Sequence, residues 1–140
     1  MILFILIGQI DVNSNVNTIS LTVVVSGLRN SDGVVVFGLY NRKDAFPDEN
    51  YKKYFRKISG KINNNTASVT FENLLPDTYA VNILHDEDND GRIKMGFLLP
   101  KEGIGFSNFK SIGLLNKPNF SKASFELLSD STVKIKIIYM

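Results

Sequence analysis

The alternation of apolar and polar residues is the feature of this chain that most limits its fold. Between Asn17 and Ser26 every second residue is apolar, which gives an extended strand one hydrophobic face, formed by Ile19, Leu21, Val23 and Val25. Further strand signals cover residues 58–62, 66–74, 78–85, 123–128 and 132–138, and residues 34–40 are apolar on both faces. No helical segments alternate with these strands, which disfavours a parallel α/β sheet. We therefore predict an all-β fold: an antiparallel, seven-stranded sandwich, immunoglobulin-like or prealbumin-like, with one short helix and one long loop.

Short polar segments are predicted to connect neighbouring strands. Residues 27–33 should join the first two strands as a hairpin, and residues 63–65 and 129–131 should form later turns, the last of them a tight turn between the final two strands. The stretch from His85 to Phe120 is too long for a hairpin connection. Long ordered loops often carry function, so we predict that any site lies in this stretch.

The short helix is predicted over residues 47–57. Pro47 suits the first turn of a helix, and four basic residues near the end of the segment suit the negative end of a helix dipole. Tyr51, Tyr54 and Phe55 would then share one helix face. Our main interpretation is a helix that covers a sheet edge. The alternative is an aromatic and basic docking patch.

Composition excludes several classes of function. The 16 basic and 14 acidic residues are spread along the chain, so no surface for a nucleic acid is predicted. The chain has no cysteine, which excludes disulfides, thiolate metal sites and a cysteine nucleophile. Its 140 residues have room for one compact domain, and we predict a single β-sandwich domain over residues 17–140.

The first residues resemble part of an export signal. Met1 to Ile10 are almost all apolar, and polar residues follow them, although a preceding basic residue and a small-residue cleavage site are missing. Residues 1–16 are therefore predicted to be a truncated signal segment or a short edge strand. The apolar run is too short to span a bilayer as a helix, which needs roughly 20 residues. We expect an exported protein, periplasmic or extracellular, with no membrane span.

An acidic run at residues 86–93 is the strongest local motif. Asp86, Asp88 and Asp90 occupy alternate positions, and Gly91 follows them. Ca²⁺ takes about six to eight oxygen ligands, and alternate carboxylates on a tight loop can converge on one ion while glycine permits the turn. The carbonyl oxygen of Arg92 would supply a backbone ligand. These residues predict a calcium site.

Two features distinguish this loop from an EF-hand. Phe97 stands where an EF-hand loop has its bidentate glutamate, and no helical pattern flanks the loop. Water or a distant carboxylate would have to complete the site, and Glu87 and Glu102 are the nearest candidates. The alternative is a solvated acidic turn whose aspartates cap their own backbone.

Evidence for catalysis is weak. His85 precedes the acidic run, and a neighbouring carboxylate could orient it as a general base, but a lone histidine is more often a hydrogen-bonded structural residue. No serine lies in a nucleophile-elbow motif. Residues 103–108 match a phosphate-binding loop only weakly, and we interpret them as a surface loop. Phe106 is predicted to anchor that loop on the sandwich, with an exposed binding aromatic as the alternative.

Three separated motifs resemble a known family. They are residues 71–81 (FENLLPDTYAV), 85–88 (HDED) and 100–108 (PKEGIGFSN). In this order they resemble a bacterial family of small exported proteins, domain of unknown function family 2141, from about Leu21 onward. The first motif alone also resembles transthyretin-like and carboxypeptidase-regulatory-like sandwiches. The resemblance implies a secreted or periplasmic β-sandwich with no assigned activity.

The resemblance also bears on single residues. Family members tend to have glycine where this chain has Asp77, which tolerates the same turn conformation. Tyr79 resembles a tyrosine corner, whose hydroxyl ties a loop to the sandwich. The residues assigned a structural or binding role around the long loop are Tyr79, His85, Glu102, Phe106 and Asn108.

Two functions from different classes agree with these observations. The first is a non-catalytic exported module with a binding or structural role in the cell envelope, whose partner is a protein or carbohydrate ligand and whose loop is stabilised by Ca²⁺. The alternative is a metal-assisted hydrolase in which His85 acts with a metal-bound water near Asp86 and Asp88. A transthyretin-like hydrolase would need further histidine and arginine residues that cannot be placed in this chain.

Overall fold

A computed structural model describes residues 16–93 and 100–140, so the predicted signal segment lies almost wholly outside the described residues, as does Phe97. The described residues form eight strands: β1 (Ile19–Ser26), β2 (Val34–Tyr40), β3 (Arg56–Gly60), β4 (Ala67–Leu74), β5 (Asp77–Asp86), β6 (Ile104–Phe106), β7 (Phe125–Leu127) and β8 (Ser131–Lys136). Two short helical segments accompany them, a 3-10 helix at Lys43–Ala45 and α1 at Phe120–Ala123. The predicted all-β sandwich is confirmed.

The strands form two sheets. One sheet has the order β4-β1-β8, and the other has the order β3-β2-β5-β6, with β7 pairing with the first residues of β5. All strand pairs are antiparallel except β1 and β8, which run parallel. The prediction of a purely antiparallel, seven-stranded sandwich is wrong in these two details. The additional strand is β6, which is too short to produce a clear alternation.

The predicted hairpin between β1 and β2 is wrong, because the two strands lie in different sheets. Gly27 and Gly33 have φ values of 78° and 65°, and between them the chain crosses from one sheet to the other. The final two strands likewise separate, since β7 pairs with β5 and β8 pairs with β1. Alternation identifies the buried face of a strand, but it does not identify the strand's partner.

The predicted helix over residues 47–57 is also wrong. The Asp48 side chain accepts the Lys53 backbone N–H at 2.7 Å and the Tyr40 hydroxyl at 3.0 Å, and these contacts hold the segment in an irregular turn. Tyr51 has a left-handed φ of 49°, which a helix does not allow. Tyr51 is buried whereas Tyr54 is exposed, so the aromatic residues do not share a face. A buried carboxylate has therefore overridden the local helical preference.

An inner core fills the space between the sheets. It is built from alternate residues of the strands, which is the arrangement that period-two patterning predicts. Its fully buried side chains include Leu21, Val23, Val25, Phe37, Leu39, Phe71, Val81 and Ile83. The strand β2 lies between β3 and β5 and is buried on both faces, in agreement with its continuous apolar run.

An outer core covers the other face of the five-stranded sheet. Val36, Tyr40, Ala80 and Leu84 project from β2 and β5 into this layer. The loops around them contribute Ala45, Phe46, Tyr51, Phe109 and Ala123, together with Ile104 and Phe106 of β6. Residues 103–107 are buried, so the expectation of a surface loop there is wrong. Gly103 and Gly105 belong to an interior segment because side chains of Tyr139 and Ile135 occupy the space next to them.

Candidate functional site

The acidic loop, residues 86–93, begins at the last residue of β5. Asp86 pairs with Val34 of β2 and is buried, so the sheet fixes its position. Beyond it the chain turns sharply through two left-handed residues, Asn89 with φ 57° and Gly91 with φ 76°. A left-handed φ costs glycine nothing, and asparagine tolerates it better than most residues. The loop is thus a tight turn anchored to the centre of the five-stranded sheet.

Four carboxylates converge at this turn. One oxygen from each of Asp86, Asp88, Asp90 and Glu102 lies within 4.8 Å of the others. Asp86 and Glu102 are buried, and Asp88 and Asp90 are exposed, so the cluster has one side in the protein and one in solvent. The three aspartates are the residues predicted from the sequence, and Glu102 comes from beyond the far end of the loop.

Backbone N–H groups orient the three aspartates. The Asp86 carboxylate accepts the N–H of Asp90 at 3.1 Å and that of Gly91 at 2.8 Å. Asp88 accepts from Asp90, and Asp90 accepts from Arg92 at 3.0 Å. A carboxylate has about four acceptor positions on its two oxygens, so these bonds leave capacity for a cation. The loop geometry alone agrees with both interpretations given above, a calcium loop and a self-capped turn.

Burial raises the pKa of Asp86. Hydrogen bonds from the Gly91 and Asp90 backbone oppose this shift, while the side chain of Asp88 adds to it. Adjacent carboxylates disfavour each other's ionised form, and a bound cation would favour it. The electrostatic arrangement is therefore one that a cation would stabilise.

Two hydrogen bonds join the segment around Glu102 to the start of the loop. Its side chain accepts the backbone N–H of Glu87 at 2.8 Å, and the next residue, Gly103, accepts the N–H of His85 at 2.8 Å. The sequence offered Glu87 and Glu102 as candidates to complete a site. The structure brings Glu102 to the aspartates.

Glu87 has a different set of partners. The Arg29 guanidinium forms an ion pair with one carboxylate oxygen, and the Asn30 amide donates to the other at 2.9 Å. Burial alone would raise the pKa of Glu87, but the hydrogen bonds from Asn30 and Arg29 outweigh it and hold the pKa below its ordinary value. Arg29 also donates to the Lys101 carbonyl at 3.1 Å, so it links the start of the acidic loop to the segment before β6.

Sequence reasoning missed these contacts of Arg29 and Asn30, because residues 27–33 were interpreted only as a turn. Gly33 shows how closely that turn packs on the site. A Cβ atom at Gly33 would lie 1.9 Å from the Asp86 carbonyl oxygen, and the residue has a left-handed φ of 65°. Only glycine fits such an approach. Gly33, three residues after Asn30, is the one local feature of the sequence that could have indicated close packing of this segment.

His85 is fully buried, and both of its ring nitrogens have protein partners. Nε2 donates to the Asp32 carbonyl at 2.8 Å, since a carbonyl oxygen can only accept. Nδ1 shares a hydrogen bond with the Tyr139 hydroxyl at 2.8 Å. A general base needs a nitrogen within reach of the proton that it abstracts. The two hydrogen bonds of the ring are those of the structural interpretation of His85.

The remaining predicted residues also have identifiable contacts. The Tyr79 hydroxyl donates to the Leu75 carbonyl at 2.7 Å, which is the contact of a tyrosine corner. Phe106 is buried and packs edge-on against Phe46 with ring centroids 5.6 Å apart. The exposed Arg92 side chain lies near Asp90, with a nitrogen-to-oxygen distance of 3.7 Å. Tyr79 and Phe106 therefore have packing contacts, whereas the Arg92 side chain lies beside a carboxylate of the acidic loop.

Asn108 fixes the segment after β6. It has a left-handed φ of 63°, and its amide donates to the carbonyl oxygens of Lys122, Ala123 and Ser124 at 3.0 to 3.3 Å. The neighbouring Ser107 hydroxyl donates to the Ala123 carbonyl at 2.6 Å and accepts the Val81 N–H at 3.0 Å. The sequence motif that ends in Ser107 and Asn108 therefore ties the long connection to β5 and α1.

Among residues 16–93 and 100–140 the site offers carboxylate oxygens, while both ring nitrogens of the one histidine are occupied and the chain has no cysteine. Hard cations such as Ca²⁺ prefer this type of donor set. Fold and site together define a small β-sandwich protein with an acidic, oxygen-donor loop. Across residues 16–93 and 100–140, no helix is long and apolar enough to cross a membrane.

The chain belongs to the bacterial family DUF2141, described as "Uncharacterized protein conserved in bacteria", which matches residues 23–136. This match confirms the family that the three sequence motifs indicated. It covers seven of the eight strands completely and the second half of β1. No curated protein and no solved structure matches the chain.

Proposed function

We propose that this protein is an exported β-sandwich module of the bacterial cell envelope whose acidic loop binds Ca²⁺, with a binding or structural role rather than a catalytic one. The observation that carries the calcium part is the convergence of Asp86, Asp88, Asp90 and Glu102 within 4.8 Å. The position of Glu102 is a stronger argument for a bound cation than the three aspartates are. A self-capped turn explains three alternating aspartates, but it does not require a fourth carboxylate from a separate segment.

The role of the ion is to join two segments. In this proposal the cation bridges the loop after β5 and the segment that leads into β6. Arg29 already connects Glu87 to the Lys101 carbonyl on the same two segments. Calcium would therefore hold the acidic loop against the segment before β6. The envelope ligand in this proposal is a protein or a carbohydrate.

Calorimetry and thermal unfolding test the calcium site. A ligand that binds only the folded state adds about 2.7 kcal/mol to the free energy of unfolding when its concentration is a hundredfold above Kd. Extracellular calcium modules often bind at about 10⁻⁴ to 10⁻³ M, so the titration needs millimolar calcium. We expect a heat of binding and a higher melting temperature in calcium than in chelator.

Matched variants separate a site from general charge effects. Asp88→Asn and Glu102→Gln keep the side-chain size and remove one charge each, and both should weaken calcium binding. Asp44→Asn is the control, because Asp44 is an exposed carboxylate outside the loop and should not affect binding. The calcium proposal fails if the wild type gives no heat and melts identically with and without calcium.

Cell fractionation tests the location independently of calcium. The chain with residues 1–16 retained is expressed in a bacterial host, and the periplasmic, membrane and cytoplasmic fractions are compared. We expect the protein outside the cytoplasm. Recovery from the cytoplasm alone contradicts export and leaves the calcium measurement unaffected.

A further inference from the structure

Residues 111–116 form a small hairpin on the long connection, here called the tip hairpin. Gly113 and Asn116 exchange backbone hydrogen bonds at 3.3 and 3.0 Å, and the Asn116 amide donates to the Ser111 carbonyl at 2.8 Å. The two residues at the turn are Leu114 and Leu115, which are 88% and 99% exposed. No other large apolar side chain among the described residues exceeds 69% exposure.

The residues at the base of the tip hairpin attach it to the outer core. Ile112 packs against that core, and Asn108 is tied to three carbonyl oxygens around α1. The two leucines therefore project from a hydrogen-bonded turn on an anchored base. Single exposed leucines are ordinary on protein surfaces, but two adjacent leucines at almost full exposure on a defined turn need an explanation.

The segment that carries the tip hairpin is basic, although Glu49 lines a pocket next to it together with Ile112 and Pro118. Residues 103–125 contain three lysines and no aspartate or glutamate, although the whole chain has nearly balanced charge. One of these lysines, Lys110, lines a groove at the foot of the hairpin together with Lys134 and Lys136 of β8. Lysines on an edge strand such as β8 also prevent unwanted strand pairing. That role accounts for the β8 lysines but not for the leucines beside them.

We propose that the tip hairpin is a peripheral membrane contact, in which Leu114 and Leu115 enter the acyl boundary of an anionic bilayer and the surrounding lysines face the lipid phosphates. Apolar side chains flanked by lysine are the combination that binds proteins at such interfaces. A fluid bilayer accepts a convex tip without a matching pocket. A stable protein complex needs about 800 Å² on each partner, which a two-leucine turn cannot supply alone.

A second copy of this chain is a less suitable occupant. A symmetric contact between two tips would place Lys110 and Lys117 of both copies close together, and like charges across an interface disfavour binding. An anionic lipid surface has the complementary charge. The proposal agrees with an envelope location, but it does not depend on the calcium site.

Vesicle sedimentation tests this contact. The full chain is mixed with vesicles of phosphatidylcholine and phosphatidylglycerol, or of phosphatidylcholine alone, in chelator so that calcium cannot bridge the acidic loop to lipid. We expect binding to the anionic vesicles, with a loss of about tenfold for each leucine changed in Leu114→Ser and Leu115→Ser. Neutralising Lys110, Lys134 and Lys136 to Gln should reduce binding about fivefold per lysine, on anionic vesicles only.

Leu128→Ser is the matched control. Leu128 is 69% exposed but lies between Glu126 and Asp130 in the sequence, so its loss should leave vesicle binding unchanged. Circular dichroism of each variant verifies that it is folded. Absence of wild-type binding overturns the proposal, and so does binding that the leucine changes do not reduce. Self-association in solution that the leucine changes abolish, without vesicle binding, would instead assign the tip to a contact between copies.

Discussion

The two faces of the five-stranded sheet are covered in different ways. On the inner face a second sheet supplies a regular layer of apolar side chains, including Leu21 and Phe71, which packs in one core with Phe37 of the five-stranded sheet. On the outer face irregular loops supply the cover, and they carry polar groups into it. Asp48 is buried there beside Tyr40 and Asn82. The same sheet thus has one face covered by strand packing and one covered by loops that combine apolar packing with specific hydrogen bonds.

The two faces should therefore differ in how they tolerate amino-acid substitution. A strand-covered face depends on total apolar volume and pattern, which many sequences satisfy. A loop-covered face depends on particular donors and acceptors. The acidic loop and the tip hairpin both belong to segments on the loop-covered side or at its border, since Ile93 and Ile112 both pack against the outer core. Candidate function and irregular structure therefore occur together in this molecule.

The largest expected effect comes from deleting one phenylalanine on each face. Phe37→Ala in the inner core should reduce the free energy of unfolding by about 4 kcal/mol. Phe46→Ala in the outer core should cost less, about 2 to 3 kcal/mol, because short loops can close partly around a cavity. Phe46 contacts Tyr40, Phe106 and Phe120 at centroid distances of 5.4 to 6.4 Å. Urea unfolding of both variants measures the difference, and equal losses would contradict it.

A smaller effect is expected from the buried carboxylate. Asp48→Asn keeps the volume of the side chain but weakens its bonds to the Tyr40 hydroxyl and the Lys53 N–H, and should cost about 1 to 2 kcal/mol. Tyr40→Phe removes the other partner of the first bond. If the outer core depends on this pair, the double variant should lose less than the sum of the single losses. Strict additivity would show that the two residues act independently.

The smallest expected effect is alkaline destabilisation through the buried tyrosines. Burial, followed by the charge of Asp48, raises the pKa of Tyr40, and burial followed by the charge of Tyr40 raises the pKa of Tyr51. In the unfolded chain tyrosine ionises near pH 10, so above this pH the unfolded state holds fewer protons and stability falls as pH rises. Phenolate absorbance followed together with circular dichroism should show these two residues ionising only as the protein unfolds. Ionisation of all five tyrosines in the folded state would contradict this prediction.

Sequence reasoning identified the strand-built part of the molecule well. The bounds of β2 were predicted without error, and those of β5 to within one residue at each end, because period two and doubly apolar runs follow directly from burial. The segment at 47–57 was predicted wrongly, because its conformation depends on Asp48 contacting β2. No local pattern reports such a contact.

The candidate site divides in the same way. The alternating aspartates are a local motif and could be recognised, whereas the partners of Glu87 are 57 and 58 residues away in the sequence. Glu102 was one of two candidates, and only the tertiary structure distinguished it from Glu87. The sequence therefore did not reveal the contacts between residues that are far apart in the chain and that the fold brings together.

The parallel pair of β1 and β8 has a consequence for how the chain is made. Ser20 of β1 donates its backbone N–H to Asp130 at the entry to β8, across 110 residues of sequence. The ribosome makes β8 after the other described strands, so β1 has a free edge until then. Pairings this distant are slow to form because the intervening chain must first be ordered. The three-stranded sheet would thus be the last part of the fold to be completed, and until then the edge of β1 can pair with another strand.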